Sequence, residues 1–216
     1  MRRCLAIAVS LLVLATSASS AARAVQRPHH GFDRSENRTV ISLRDPDDDL
    51  NIGAAVDGRI VEATDGELAT LGGADISHVR VVVRGGARPL LRIDLRVEDL
   101  HRRRGLAYGF VVSLGARASL TASSAAGRTS PVSTSLLTDS GYEVRVCENA
   151  KMKARNARDT LAVRVPVSCV AAMGVTVARI GTLISAQQTS HGRSGQRIAS
   201  TYDVGPRTRA VSFSAS

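Results

Sequence analysis

The stretch ISHVRVVVRGGARPLLRIDLRV at positions 76–97 decides the fold class. Its two halves, 76–83 and 90–97, are rich in Val, Ile and Leu, and a connection containing Gly85 and Gly86 separates them. β-Branched residues suit a pleated surface, so two such runs around a glycine-containing connection predict a hairpin. In the second half Leu91, Ile93, Leu95 and Val97 fall on one side of an extended chain, with Arg92, Asp94 and Arg96 on the other. That alternation is the pattern of a sheet with one buried and one wet face.

Runs of the same kind occupy 39–43, 107–114, 117–122, 142–147, 160–165 and 175–183, with a short one near 59–63 and a last one near 208–213. The first ends in Arg44-Asp45-Pro46-Asp47-Asp48-Asp49, where Pro and Asp break pairing. Residues 50–74 carry at most the short strand, the Ser/Thr/Ala-rich 123–140 reads as a long surface loop, and 186–200 reads as a solvated loop. ENAKMKARNAR at 148–158 leaves two readings open. Propensity allows a helix. The alternation of Met152 and Ala154 with Lys151, Lys153 and Arg155 equally allows a strand and turn entering Thr160. Strands do not alternate with long helices, which disfavours a parallel α/β sheet. The expected fold is all-β, an antiparallel, jelly-roll-like β-sandwich of about eight or nine strands.

The 216 residues suit one domain, or one domain with a tail, and 44% hydrophobic content supplies a core. With three Phe, three Tyr and no Trp, that core is aliphatic. At the N-terminus Arg2 and Arg3 precede an apolar run at 4–15, and Ala22-Arg23-Ala24 fits a small-residue cleavage site. The run is shorter than the roughly 20 residues of a bilayer-spanning helix, so a secretory signal is expected. The expected organisation is a signal peptide at 1–24, a flexible leader at 25–37, the sandwich at 38–185, and a polar loop with a C-terminal segment at 186–216. The expected location is secreted or extracytoplasmic, with no transmembrane segment after signal cleavage. Loss of Arg2, Arg3 and Arg23 lowers the formal charge from +10 to +7 (10 − 3 = 7) and leaves Cys147 and Cys169 as the cysteines. An even pair in an exported chain is expected as a disulfide.

Motifs that would announce catalysis are missing. His191-Gly192-Arg193-Ser194-Gly195 differs from a G-x-S-x-G elbow and falls in the expected loop. The histidines lack H-E-x-x-H spacing, and neither Gly72-Gly73 nor Gly85-Gly86 is followed as in a phosphate-binding loop. Two groupings carry chemistry. Asp45, Asp47 and Asp48, with Asp49 beside them and Asp75 arriving from another strand, supply hard oxygens for Ca²⁺. No other cofactor is expected. Arg102, Arg103 and Arg104, after His101, form the densest basic run, and Lys151, Lys153, Arg155 and Arg158 form another. Cations so grouped suit a polyanion, although a solubilising surface has the same composition. Scarce aromatics argue against stacked bases, so no nucleic acid is expected as a partner. The expected function is a non-catalytic exported module binding the cell envelope, a polyanion or a protein partner. The alternative is a small exported hydrolase without a motif, drawing on His78, Asp94, Glu98, Asp99 and His101.

The order of these signals carries a resemblance. Asp45-Pro46-Asp47-Asp48 follows a first strand, Asp75-Ile76 opens the Val-rich hairpin, and Asp99-Leu100 closes it. Val165-Pro166-Val167-Ser168-Cys169 then precedes another Val-rich strand. This arrangement over 38–183 resembles uncharacterised exported bacterial β-sandwich proteins, distantly similar to family-9 carbohydrate-binding and DOMON-type sandwiches. The resemblance implies an exported sandwich. Those sandwiches bind sugars or haem, and this chain departs from both in having no Trp platform and no evident paired axial ligands.

Overall fold

In the computed structural model, which describes residues 38–45, 49–100, 106–125, 128–193 and 195–213, strands dominate the chain. The expected signal and leader lie outside these residues. Strand β1 (Arg38–Arg44) is followed by a small hairpin of β2 (Asn51–Val56) and β3 (Arg59–Val61). Asp57 and Gly58 turn that hairpin with φ of 48° and 81°, the left-handed pair that a tight connection between twisted strands requires. Helix α1 (Asp65–Leu71) leads into β4 (Ile76–Arg84) and β5 (Leu90–Val97), the hairpin expected at 76–97. There follow β6 (Leu106–Leu114), β7 (Ala118–Ala125), β8 (Arg128–Thr129), β9 (Ser133–Thr138), β10 (Gly141–Val146), β11 (Lys151–Arg155) and β12 (Thr160–Pro166). Helix α2 (Val167–Ala171), β13 (Val177–Gly192), β14 (Gly195–Gly205) and β15 (Ala210–Ser212) complete the described elements.

The strands form two antiparallel sheets. One has the order β1-β4-β5-β12-β11, the other β10-β9-β7-β6-β13-β14-β2-β3, with β15 added to β13 and β8 to β7. Leu91, Ile93 and Leu95 of β5 are fully buried, as the alternation predicts, and belong to one core with Phe110, Val112, Ile180 and Ile184 of the other sheet. Each such side chain removed from water contributes roughly 1.5–3 kcal/mol before the entropy of ordering is counted. The chain is an antiparallel all-β sandwich.

Cys147, next after β10, and Cys169, on α2, are disulfide-bonded with Cα atoms 5.8 Å apart. Because β10 belongs to the larger sheet and α2 continues from β12 of the smaller one, the bond staples the two layers together.

Three connections differ from expectation. Residues 186–192 and 195–200 are strand, the distal part of a long β13–β14 hairpin whose register runs from Thr182↔Gly205 to Gly192↔Gly195. Its polar residues pair through the backbone, which a solvated composition does not prevent. The stretch 123–140 holds the end of β7 together with β8 and β9, and 50–74 holds β2, β3 and α1. For 148–158 the strand reading stands: Met152 is buried toward the core, and Lys151 and Lys153 point out.

Candidate functional site

Strand pairing decides which side chains share the solvent face of the five-stranded sheet. Paired residues project to the same side, so the register reads out as rows across the strands. One row is Arg38, Arg84, Leu90 and Pro166. The next is Val40, Val82, Arg92, Arg164 and Lys151, and beside it lie Ser42, Arg80, Asp94, Ala162 and Lys153. The last is Arg44, His78, Arg96, Thr160 and Arg155. Every row carries cations, and among the described residues of these rows Asp94 is the one carboxylate. It is taken up by Arg92, with Nη2 2.7 Å from Oδ1. Rows repeat about every 7 Å along a strand, and neighbouring strands lie about 4.8 Å apart, so guanidinium and ammonium groups recur across the face, with Val82, Asp94 and Ala162 buried among them.

His78 sits on this face. Its Nε2 lies 2.7 Å from Ser42 Oγ. Burial lowers its pKa first, and Arg44, Arg96 and Arg80 lower it further, so the ring is neutral at pH 7. A Ser–His contact invites comparison with a nucleophile and its base. In the catalytic arrangement an acid orients the imidazole, whereas the charges acting on His78 are cations. Asp94 meets Arg92 on the same face, and the Glu98 N–H donates to Asp75 O at 2.9 Å. His101 lies outside the described residues. A shallow depression lies elsewhere, lined by Thr134, Leu136, Glu143, Arg145, Ala172 and Met173.

At the interior near the start of β4 the charge is of the opposite sign. Asp49, Asp75 and Asp203 each bring a carboxylate oxygen within 4.8 Å of the others. Asp49 is exposed, and Asp75 and Asp203 are buried. One strand and two connections assemble them: Asp49 precedes β2, Asp75 precedes β4, and Asp203 projects inward from β14. One Asp203 oxygen, Oδ2, accepts the backbone N–H of Ile76. The other, Oδ1, is buried, and the Asp203 carboxyl shares a side-chain hydrogen bond with Asp49. Burial is the main cause that pushes the Asp203 carboxyl up to about 7, and the Asp49 and Asp75 carboxylates push in the same direction. Two oxygens on one Ca²⁺ at 2.3–2.6 Å lie at most about 5 Å apart, so the spacing fits a single hard cation.

The structure places Asp75 beside Asp49 and Asp203. Asp45 ends β1, where its N–H donates to Ser77 O at 3.2 Å, and it is not among the three. Asp47, Asp48, Arg102, Arg103 and Arg104 lie outside the described residues. Of the second basic run, Lys151, Lys153 and Arg155 enter the cationic face. Among the described residues no helix is long and apolar enough to cross a membrane. Antiparallel sandwich with a cationic face is thus the class that fold and surface define. In comparisons with protein families, characterised proteins and solved structures, nothing matches the chain.

Proposed function

We propose that the protein is a non-catalytic, exported β-sandwich module that adheres to an anionic polymer or surface of the cell envelope through the outer face of its five-stranded sheet. The register of that sheet carries the reading. It sets Arg38 opposite Arg84 and places Arg164 between Arg92 and Lys151. Like charges directly opposite one another destabilise a sheet by up to about 1 kcal/mol a pair. A surface that served solubility alone would intersperse the signs. A face on which cations recur instead suits an extended polyanion, which it attracts from a distance and holds by releasing counterions. The test is retention of the protein on purified envelopes and on vesicles of anionic or neutral headgroups, each across a salt series. Retention on the anionic surfaces that falls as salt rises is expected. Its absence at every salt concentration, or indifference to salt, removes the reading.

A second reading rests on the buried Asp203 Oδ1. Asp49, Asp75 and Asp203 take a divalent cation, Ca²⁺ by the hardness of carboxylate oxygen, with water or backbone oxygens completing its six to eight ligands. The ion neutralises charge that burial and the two neighbouring carboxylates otherwise leave uncompensated, and it ties β14 of one sheet to the entry of β4 in the other. A melting temperature that rises with added Ca²⁺ and falls with chelator is the expected result, and one indifferent to both overturns it.

A further inference from the structure

Strand β10 is the outer edge of the larger sheet, and all six of its residues are exposed. Its apolar residues, Tyr142, Val144 and Val146, are 71%, 62% and 63% exposed. Natural sheets usually cover or blunt such an edge, because its unpaired backbone groups are a template for another strand. The hydrogen-bond phase shows which groups point outward. Leu137 N–H donates away from β10, to Arg117 O, while Cys147 N–H donates toward β9, to Val132 O. With the register Gly141↔Thr138 to Val146↔Ser133, residues 141, 143 and 145 therefore bond to β9. The backbone groups of Tyr142, Val144 and Val146 face outward.

We infer that two copies of this chain associate through β10, antiparallel edge to edge, with Val144 on the two-fold axis. Residues with outward backbone groups must pair with each other, so the available registers differ in steps of two. Centring on Glu143 sets Glu143 against the partner's Glu143, and centring on Arg145 sets Arg145 against the partner's Arg145. Both place like charges directly opposite. Centring on Val144 places Glu143 opposite the partner's Arg145, twice, in a non-hydrogen-bonded pair where side chains come closest. The ion pair that Arg145 and Glu143 form within each strand is exchanged, two for two, for pairs across the axis. Tyr142 then meets the partner's Val146, an aromatic against a β-branched residue, also twice. Of these three registers, centring on Val144 alone is self-complementary.

An antiparallel strand pair is related by an axis normal to the sheet, so both five-stranded sheets lie on the same side of the joined larger sheets. Their cationic faces then point the same way, and a dimer engages an anionic surface with both at once. That consequence rests on the adhesion reading above. The association does not, and it is measured without any polyanion.

Sedimentation velocity over a concentration series is the test. The protein is expected to show a monomer–dimer equilibrium. Glu143→Arg alone and Arg145→Glu alone each weaken it about tenfold or more, since each sets two like-charge pairs across the axis. The double variant Glu143→Arg with Arg145→Glu restores it. Val144→Lys gives the same loss by a separate route, seating two cations opposite each other on the axis. Far-ultraviolet dichroism checks that each variant keeps its strands. A protein that stays monomeric at every concentration overturns the inference, as does a dimer that survives the single reversals or a double variant that fails to recover.

Discussion

Arg197 on β14 holds Glu67 on α1 with two hydrogen bonds, Nε to Oε1 at 2.6 Å and Nη2 to Oε2 at 2.7 Å. Glu67 is also the third helical residue of a capping box: its Oε2 accepts the Thr64 N–H at 2.8 Å, and the Glu67 N–H donates to Thr64 Oγ1. One carboxylate therefore closes a helix and fastens it to a sheet. Two-point contact of this kind is stronger than an ordinary surface pair.

The acid limb of the stability curve is where that contact is measurable. The Arg197 hydrogen bonds are the main cause that lowers the Glu67 pKa from 4.5 to about 2. A depressed carboxyl contributes stability above its unfolded value and loses it as pH falls toward the folded one. Glu67→Gln is expected to cost about 1–2 kcal/mol at neutral pH. Denaturant titrations between pH 4.5 and 2 are expected to show a shallower loss for the variant than for the parent.

Arg164 separates binding from stability. It lies opposite both Arg92 and Lys151, so Arg164→Glu turns two like-charge contacts into two attractive ones. The variant is expected to be more stable by up to about 1 kcal/mol while its retention on anionic vesicles falls and loses part of its salt dependence. A variant equally stable and equally retained contradicts the role given to this face. Thermal melting and co-sedimentation on the same preparation decide it.

Asp203→Asn keeps an acceptor for the Ile76 N–H while removing one of three crowded carboxylates. Melted in chelator at neutral pH, the variant is expected to match or exceed the parent, because a buried charge facing two others is gone. Adding Ca²⁺ is expected to raise the parent and leave the variant unchanged. Calorimetric titration with Ca²⁺ provides an independent readout of the same difference.

The Cys147–Cys169 bond closes a loop of 22 residues and joins the two sheets. Replacing both cysteines with Ser is expected to lower stability by about 3 kcal/mol on the chain-entropy estimate. Denaturant midpoints report the loss, and thiol alkylation before and after reduction reports the bond itself.

Much of the fold was legible because side-chain alternation is written directly into a strand. Leu91, Ile93 and Leu95 inward with Arg92 and Arg96 outward is the clearest instance, and β5 runs over the expected 90–97. Strand β14 escaped for the converse reason. Its inward positions are Ala199, Thr201, Asp203 and Gly205, which are small or polar, so no apolar period marks it. Helix α1 is too short for an apolar stripe, and its one available signal was the Thr64-x-x-Glu67 spacing. Asp203 could not be associated with Asp75 from sequence, because the adjoining Ile76 is 127 residues from it and only sheet packing joins them.

The sequence by itself determined the period of strands such as β5, the excess of cations and the pairing of two cysteines, since each is a local or compositional property. Tertiary structure decided which strands are neighbours. Arg92, Arg164 and Lys151 are separate outward residues in the chain and become one row only when β5, β12 and β11 pair in register. That register follows from burying the opposite faces of those strands against the second sheet, a long-range condition that no single strand's pattern contains.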